Sequence, residues 1–266
     1  MYNFEVYRPT TIRQAVNLLA KDEEAKPLAG GHSLIPVMKF RLASPSALID
    51  LSKIEELKGI ELRGRSVVIG AMTTHAEVAG SQVLKDAVPG LAAVPGSIGD
   101  PHVRHAGTIG GSIANNDPNA DYPAACLGMG ATIITNKRRI PADEFFQGMF
   151  TTALEPGELI TKVMFPIAQK AAYEKFKHPA SGFALVGVFV SKRGSEIRVA
   201  ATGAGANGVF RVTAFEEALK RRFSPKSLEG VSIPADGMNT DIHASAEYRA
   251  HLVGVMARRA VAKATA

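Results

Sequence analysis

The chain has 266 residues, 46% of them hydrophobic and 21% charged, with a formal net charge of +6. That balance excludes wholesale disorder and a membrane bundle, and the length is enough for two or three small cores. A single cysteine, Cys126, excludes an internal disulfide and any all-cysteine zinc site or four-thiolate cluster made by this chain alone.

The opening sixteen residues lack the basic-then-apolar order of a secretory signal. No apolar run reaches about 18 residues, so no transmembrane helix is expected and the predicted location is cytoplasmic. Ile12, Ala15, Val16 and Leu19 recur at helical spacing behind Thr10-Thr11, which predicts a capped helix over 11–21. A short apolar piece at 26–29 ends in Gly30-Gly31, and 47–51 reads as a strand. Residues 60–70 hold two short strands around Gly64, and Thr73-Thr74 caps a helix running to Ala79. Residues 83–94 are mostly helical, with a break near Pro89-Gly90. The stretch 95–123 is dense in Gly, Pro, Asn and Asp and reads as loop with at most short helical turns.

An apolar run at 124–135 implies buried structure, and 158–165 reads as a strand closed by Pro166. A boundary falls at 167–172. Beyond it, 183–191 and 195–202 form a hairpin around Lys192-Arg193-Gly194, and 213–222 forms a short helix. Tyr248, Leu252, Val255 and Met256 line one face of a long terminal helix. The basic residues are scattered, with only short clusters such as Lys137-Arg138-Arg139, so the positive charge reads as a solvated face rather than a nucleic-acid surface.

Two glycine-rich segments carry the chemistry. One is Ala29-Gly30-Gly31-His32-Ser33-Leu34-Ile35-Pro36, the other Thr108-Ile109-Gly110-Gly111-Ser112. Paired glycines admit positive φ and let successive N–H groups converge on one anion, and Ser33, Thr108 and Ser112 add hydroxyls. Two such nests could grip a diphosphate from both sides, although each alone also reads as a tight turn. Asp121 would repel a diphosphate and suits sugar or ribityl hydroxyls, or else an Asx-turn or helix cap. Gly203-Ala204-Gly205-Ala206-Asn207-Gly208 matches G-x-G-x-x-G, but Val209-Phe210-Arg211-Val212 is a poor helix start, so a Rossmann site is rejected. The histidines form no metal signature, Ser33 is not in a hydrolase elbow, and Cys126 reads as a buried small hydrophobe.

Ala29–Ser33 together with Thr108–Ser112 resembles the FAD-binding medium subunit of molybdenum hydroxylases, the group of aerobic carbon monoxide dehydrogenase and xanthine dehydrogenase. The likeness extends to Ile98-Gly99-Asp100, Asp117-Pro118, Asp121-Tyr122-Pro123, Ala172–Phe176 and Asp241–Arg249, and so to nearly the whole chain. It implies an α+β architecture: a two-subdomain FAD-binding fold of the vanillyl-alcohol-oxidase type, over 1–57 and 58–168, then a small α+β domain over 172–266. It implies non-covalent FAD, with 29–36 and 108–112 at the diphosphate and neighbouring groups, Asp121 at the cofactor chain, and Lys177 and Phe183 at the flavin.

His102, His105, Phe183 and Asn115-Asn116 depart from the commoner residues of the group. Phenylalanine at 183 keeps an apolar face but lacks a hydroxyl, which puts any hydrogen bond there in doubt.

The resemblance also implies a role. A large partner would carry a molybdenum–pterin cofactor and oxidise substrate, and a small partner would relay electrons through two iron–sulfur clusters. This chain would take them through FAD to an external acceptor such as a quinone, NAD or oxygen, with no nucleic acid involved and within a dimer of heterotrimers. It has no acid–base or nucleophile constellation of its own, which suits chemistry carried by a cofactor. Two other readings stay open: a self-contained flavin oxidase, with His32 as a covalent attachment point, and a flavin-free structural subunit.

Overall fold

The computed structural model describes residues 1–266. The first unit comprises β1 (Glu5–Tyr7), α1 (Ile12–Lys21), β2 (Lys26–Leu28), α2 (Leu34–Lys39) and β3 (Ala47–Asp50). Thr11 caps α1 by accepting the Gln14 N–H, and the helix buries Ala15 and Leu19. β1 and β2 both pair parallel with β3, which makes β3 the central strand. Parallel pairing needs crossovers, and α1 and α2 supply them.

The second unit begins with the hairpin β4 (Ile60–Arg63) and β5 (Ser66–Gly70), turning at Gly64 with φ +59°. Five helices follow: α3 (His75–Gly80), α4 (Gln82–Ala87), α5 (Pro89–Gly96), α6 (Pro101–Ala106) and α7 (Ile109–Asn115). Next come α8 (Tyr122–Met129), β6 (Thr132–Thr135), β7 (Arg139–Pro141), α9 (Ala142–Phe145), the small hairpin β8 (Phe146–Gly148) and β9 (Thr151–Thr152), and β10 (Ile160–Pro166). The main sheet runs β4-β5-β10-β6-β7 and is antiparallel throughout.

The glycine-dense stretch expected to be mostly loop holds α6 and α7. Side-chain caps explain this. Asp100 accepts the His102 N–H at the start of α6, and Thr108 accepts the Gly111 N–H in α7. Such caps supply acceptors that the first turn otherwise lacks, and offset the poor helix propensity of glycine.

The third unit is β11 (Lys170–Lys177), β12 (Ala184–Arg193), β13 (Glu196–Thr202), β14 (Phe210–Arg211), α10 (Thr213–Arg221) and α11 (Ala246–Thr265). β12 is buried almost throughout, with Val186, Val188 and Val190 in the core with α11, and Phe189 in the core with α8. Burial on both faces explains its unbroken apolar run. α8 lies so close that a Cβ on Gly128 would sit 2.8 Å from Phe189 Cδ1. Ser191 Oγ donates to Gly128 O at 2.6 Å.

The G-x-G-x-x-G segment turns at Gly203 (φ +79°) and Gly208 (φ +95°) and leads into β14, a strand and not a helix. The apolar face of α11 differs from expectation. Tyr248 is 44% exposed, and Arg249 is buried instead. The Arg249 guanidinium donates to Leu185 O, Gly203 O and Asp241 Oδ2, so the polar end of a long side chain replaces an aromatic at the seam.

Candidate cofactor-binding site

The first glycine segment leaves the sheet after Leu28 and turns into α2. Gly31 has φ +73°, a conformation that glycine adopts without a Cβ penalty. The N–H groups of residues 30–33 make no hydrogen bond within the protein. A row of unpartnered amides beside a left-handed residue can form an anion-binding concavity. Gly30 abuts the junction between α6 and α7: a Cβ there would sit 2.2 Å from Ala106 O and 2.7 Å from Gly107 Cα.

The second segment lies against the first, with the Gly111 Cβ position 3.5 Å from Ala29 Cβ. The amides of residues 109–112, however, are engaged inside the protein. Ile109 N–H donates to Thr73 O (3.1 Å), Gly110 N–H to Ala71 O (2.8 Å), and Ser112 N–H to Thr108 O (3.0 Å). Gly111 N–H donates to Thr108 Oγ1 (3.1 Å). The second segment is therefore not an amide nest. Its glycines serve close backbone approach: a Cβ on Gly110 would meet Ala71 Cβ at 2.6 Å and Ala71 O at 2.7 Å. The half-buried Ser112 carries a hydroxyl with no partner within the protein.

The remaining residues singled out in the sequence fall into three places. His32, Ser33 and Pro36 are exposed beside the amide row, and Leu34 and Ile35 are half-buried in the first turn of α2. Lys177 and Phe183 stand at the two feet of the turn between β11 and β12, where His178 N–H donates to Phe183 O at 2.8 Å. Both are exposed, Phe183 by 51%. That turn touches the 98–100 loop, with the Gly182 Cβ position 3.4 Å from Gly99 Cα. The loop leads through α6 to the junction on which Gly30 packs.

Asp121 lies beneath this edge, 4% exposed, and makes no cap hydrogen bond to α8. Its carboxylate accepts from Tyr173 Oη (2.5 Å) and Lys175 Nζ (3.0 Å). Burial pushes its pKa up, and the Lys175 ammonium opposes that rise.

His75 escaped the sequence reading. It opens α3 behind a capping box made by Thr74 and Glu77. Its N–H donates to Gly107 O at 2.9 Å, and its ring packs 5.3 Å from that of Tyr122. Burial, then the charge of His32, lower its pKa to about 4, so it is neutral at pH 7. His75 Nδ1 and Tyr122 Oη are buried polar atoms without a partner in the protein. The only advance signal was a histidine inside the Thr74-x-x-Glu77 capping pattern.

The geometry fits a phosphorylated cofactor: unpartnered amides for an anion, and an exposed aromatic and a cation on the adjoining edge. Residues 2–168 match the family described as the FAD binding domain in molybdopterin dehydrogenase. The chain belongs to this family. It is thus an FAD-binding part of an oxidoreductase, with the mixed α+β architecture that the resemblance implied.

It is 39% identical to the carbon monoxide dehydrogenase medium chain of Afipia carboxidovorans, over 99% of this chain and 97% of that one. It is 35% identical to the nicotine 6-hydroxylase medium subunit of Paenarthrobacter nicotinovorans, over 97% of this chain and 96% of the relative. A solved structure of reconstituted CO dehydrogenase from Oligotropha carboxidovorans superposes with a TM-score of 0.88 at 36% identity, covering 99% of this chain and 98% of that one. No helix is long and apolar enough to cross a membrane.

Proposed function

We propose that this chain is the electron-transfer subunit of a multi-subunit molybdenum hydroxylase. It takes electrons from the iron–sulfur clusters of a small partner and passes them to an external acceptor, and a large molybdenum–pterin partner oxidises the substrate. The observation that carries this reading is the row of unpartnered amides at 30–33, set against the 106–112 junction. FAD supplies the ability to exchange one or two electrons.

The amides of 30–33 and the Ser112 hydroxyl hold the diphosphate. Lys177 and Phe183 supply a cation and an apolar face at the flavin end, and Asp121 supports the cofactor through β11. In this reading residues 1–57 and 58–168 are the two cofactor-binding subdomains, and 172–266 is a separate α+β domain that covers the flavin end. Relatives named for carbon monoxide and for nicotine are similar over nearly the whole chain, which supports a reading in which the partner selects the substrate.

The test is the visible spectrum of the purified protein before and after acid precipitation. Yellow flavin released to the supernatant, with two co-purifying partners, is the expected result. Flavin kept in the pellet would indicate a covalent oxidase. A colourless protein that refuses added FAD would overturn the flavin reading.

A further inference from the structure

We propose that Asp121, Tyr173 and Lys175 form a buried latch that sets the pose of the β11–β12 turn, and so of Lys177 and Phe183, at the flavin; this rests on the FAD reading above.

The Lys175–Asp121 ion pair spans 3.0 Å, with side chains only 3% and 4% exposed. A buried pair of this kind is weak evidence for stability, because desolvation offsets the Coulomb gain, and its best-attested use is to specify one register. Here it has the connections to do so. Lys175 Nζ also donates to Ser97 O at 3.3 Å, next to the 98–100 loop. That loop packs through Gly99 on Gly182 of the turn itself. The contacts therefore close a ring: α8, Lys175, the 97–99 segment, the turn, and back along β11. Lys177 follows Lys175 by two residues, across a shift in the β11–β12 register between Phe176 and Lys177 that marks where the strand pair gives way to the turn.

Gly187 shows that the chain is built around this contact. It sits mid-strand in β12, where glycine weakens a sheet. A Cβ there would lie 2.1 Å from Tyr173 Oη. The missing side chain lets the tyrosine hydroxyl pass over β12 to Asp121. The turn that carries Asp121 is held from β13 of the same sheet, since the Thr202 hydroxyl lies within hydrogen-bond distance of both Pro118 O (2.9 Å) and Ala120 O (2.8 Å).

The test uses the FAD-loaded protein. Tyr173→Phe removes one hydroxyl and keeps the ring that stacks on Phe189 at 6.4 Å. Asp121→Asn removes the carboxylate charge, Lys175→Arg keeps the cation and Lys175→Met removes it. Far-UV circular dichroism establishes folding. FAD dissociation, the visible flavin band and the flavin midpoint potential are then read.

Tyr173→Phe and Asp121→Asn are expected to fold, to release FAD roughly tenfold more readily, the scale of one lost hydrogen bond to a charged group, and to shift both band and potential. Lys175→Arg is expected to retain more of the parent's band and potential than Lys175→Met. Folded variants with the parent's band, potential and FAD retention would overturn the proposal. If Asp121→Asn does not fold, Tyr173→Phe decides alone. A parent protein that refuses FAD overturns the underlying flavin reading instead, and the two failures are told apart by that single control.

Discussion

The two glycine segments look alike as sequence and do different work. Residues 30–33 keep their amides unpartnered beside a left-handed Gly31. Residues 109–112 have every amide engaged by Ala71, Thr73 or Thr108. Gly-Gly thus has two physical uses here. In the first segment Gly31 takes up a left-handed conformation and the amides around it stay free of protein partners. In the second, missing Cβ atoms let α7 sit on the 71–73 backbone and on Ala29. In the proposed reading the first recognises an anion, and the second holds the wall against which the first is displayed.

Substitution should separate these roles. Gly110→Val has the largest expected effect, because its Cβ would meet the Ala71 backbone at 2.7 Å and backbone cannot rotate away. Overpacking of this kind costs about 1–3 kcal/mol or more. The expected result is loss of cooperative thermal melting, with loss of FAD only as a consequence. If Gly110→Val melts like the parent yet lacks FAD, the division of roles is wrong.

His75 lies on the seam between the segments and gives the next largest effect. Its pKa is about 4 in the fold against an ordinary 6.5. The unfolded chain therefore binds more protons in that interval. Stability contributed by the neutral ring is complete above pH 6.5, falls as the pH drops toward 4, and changes no further below it. The difference corresponds to roughly 3 kcal/mol. His75→Phe keeps the backbone bond to Gly107 and removes the titration. Urea midpoints at pH 7 and pH 4.5 should fall steeply for the parent and much less for the variant. Equal slopes would place the acid sensitivity elsewhere.

Gly31→Ala sharpens the contrast from the other side. A Cβ at φ +73° costs about 1 kcal/mol of backbone strain, and Ile35 Cγ1 would sit 3.1 Å away. The fold should survive with a slightly lower melting temperature. FAD retention, followed by absorbance after gel filtration, should drop sharply as the amide row is displaced. Parental FAD content in a variant that has lost stability would transfer the anion site away from residues 30–33.

Much of this was legible in the sequence because it depends on local signals. The Thr11 cap, the Gly64 turn, the Thr74 cap and the Gly194 turn all sit where residue type predicts them. What was not legible depends on partners distant in sequence. No local pattern shows that the Gly110 amide is claimed by Ala71, or that Asp121 faces Tyr173 and Lys175 from more than fifty residues away. β11 itself was hidden, because 170–177 mixes lysines with small and aromatic residues and lacks a clean alternation. Tyr248 was misplaced for a related reason. Helical spacing gives a face, and only the neighbouring 241–245 turn decides that Arg249 fills the seam.

The smallest predicted effect is the most discriminating. Thr108→Ala removes the hydroxyl that accepts the Gly111 N–H at 3.1 Å. Loss of a threonine cap costs about 0.5–2 kcal/mol, so the melting temperature should fall by a few degrees. The same change liberates one amide in the second segment. Were that segment an anion nest, a freed donor would be a gain, and FAD would bind more tightly. Since the segment acts as a wall, the freed amide faces the vacated hydroxyl position within the helix turn. FAD affinity should then be unchanged or slightly weaker as the turn frays. Titration of FAD into the apoprotein, followed by the visible spectrum, decides between these outcomes by the sign of the change rather than its size.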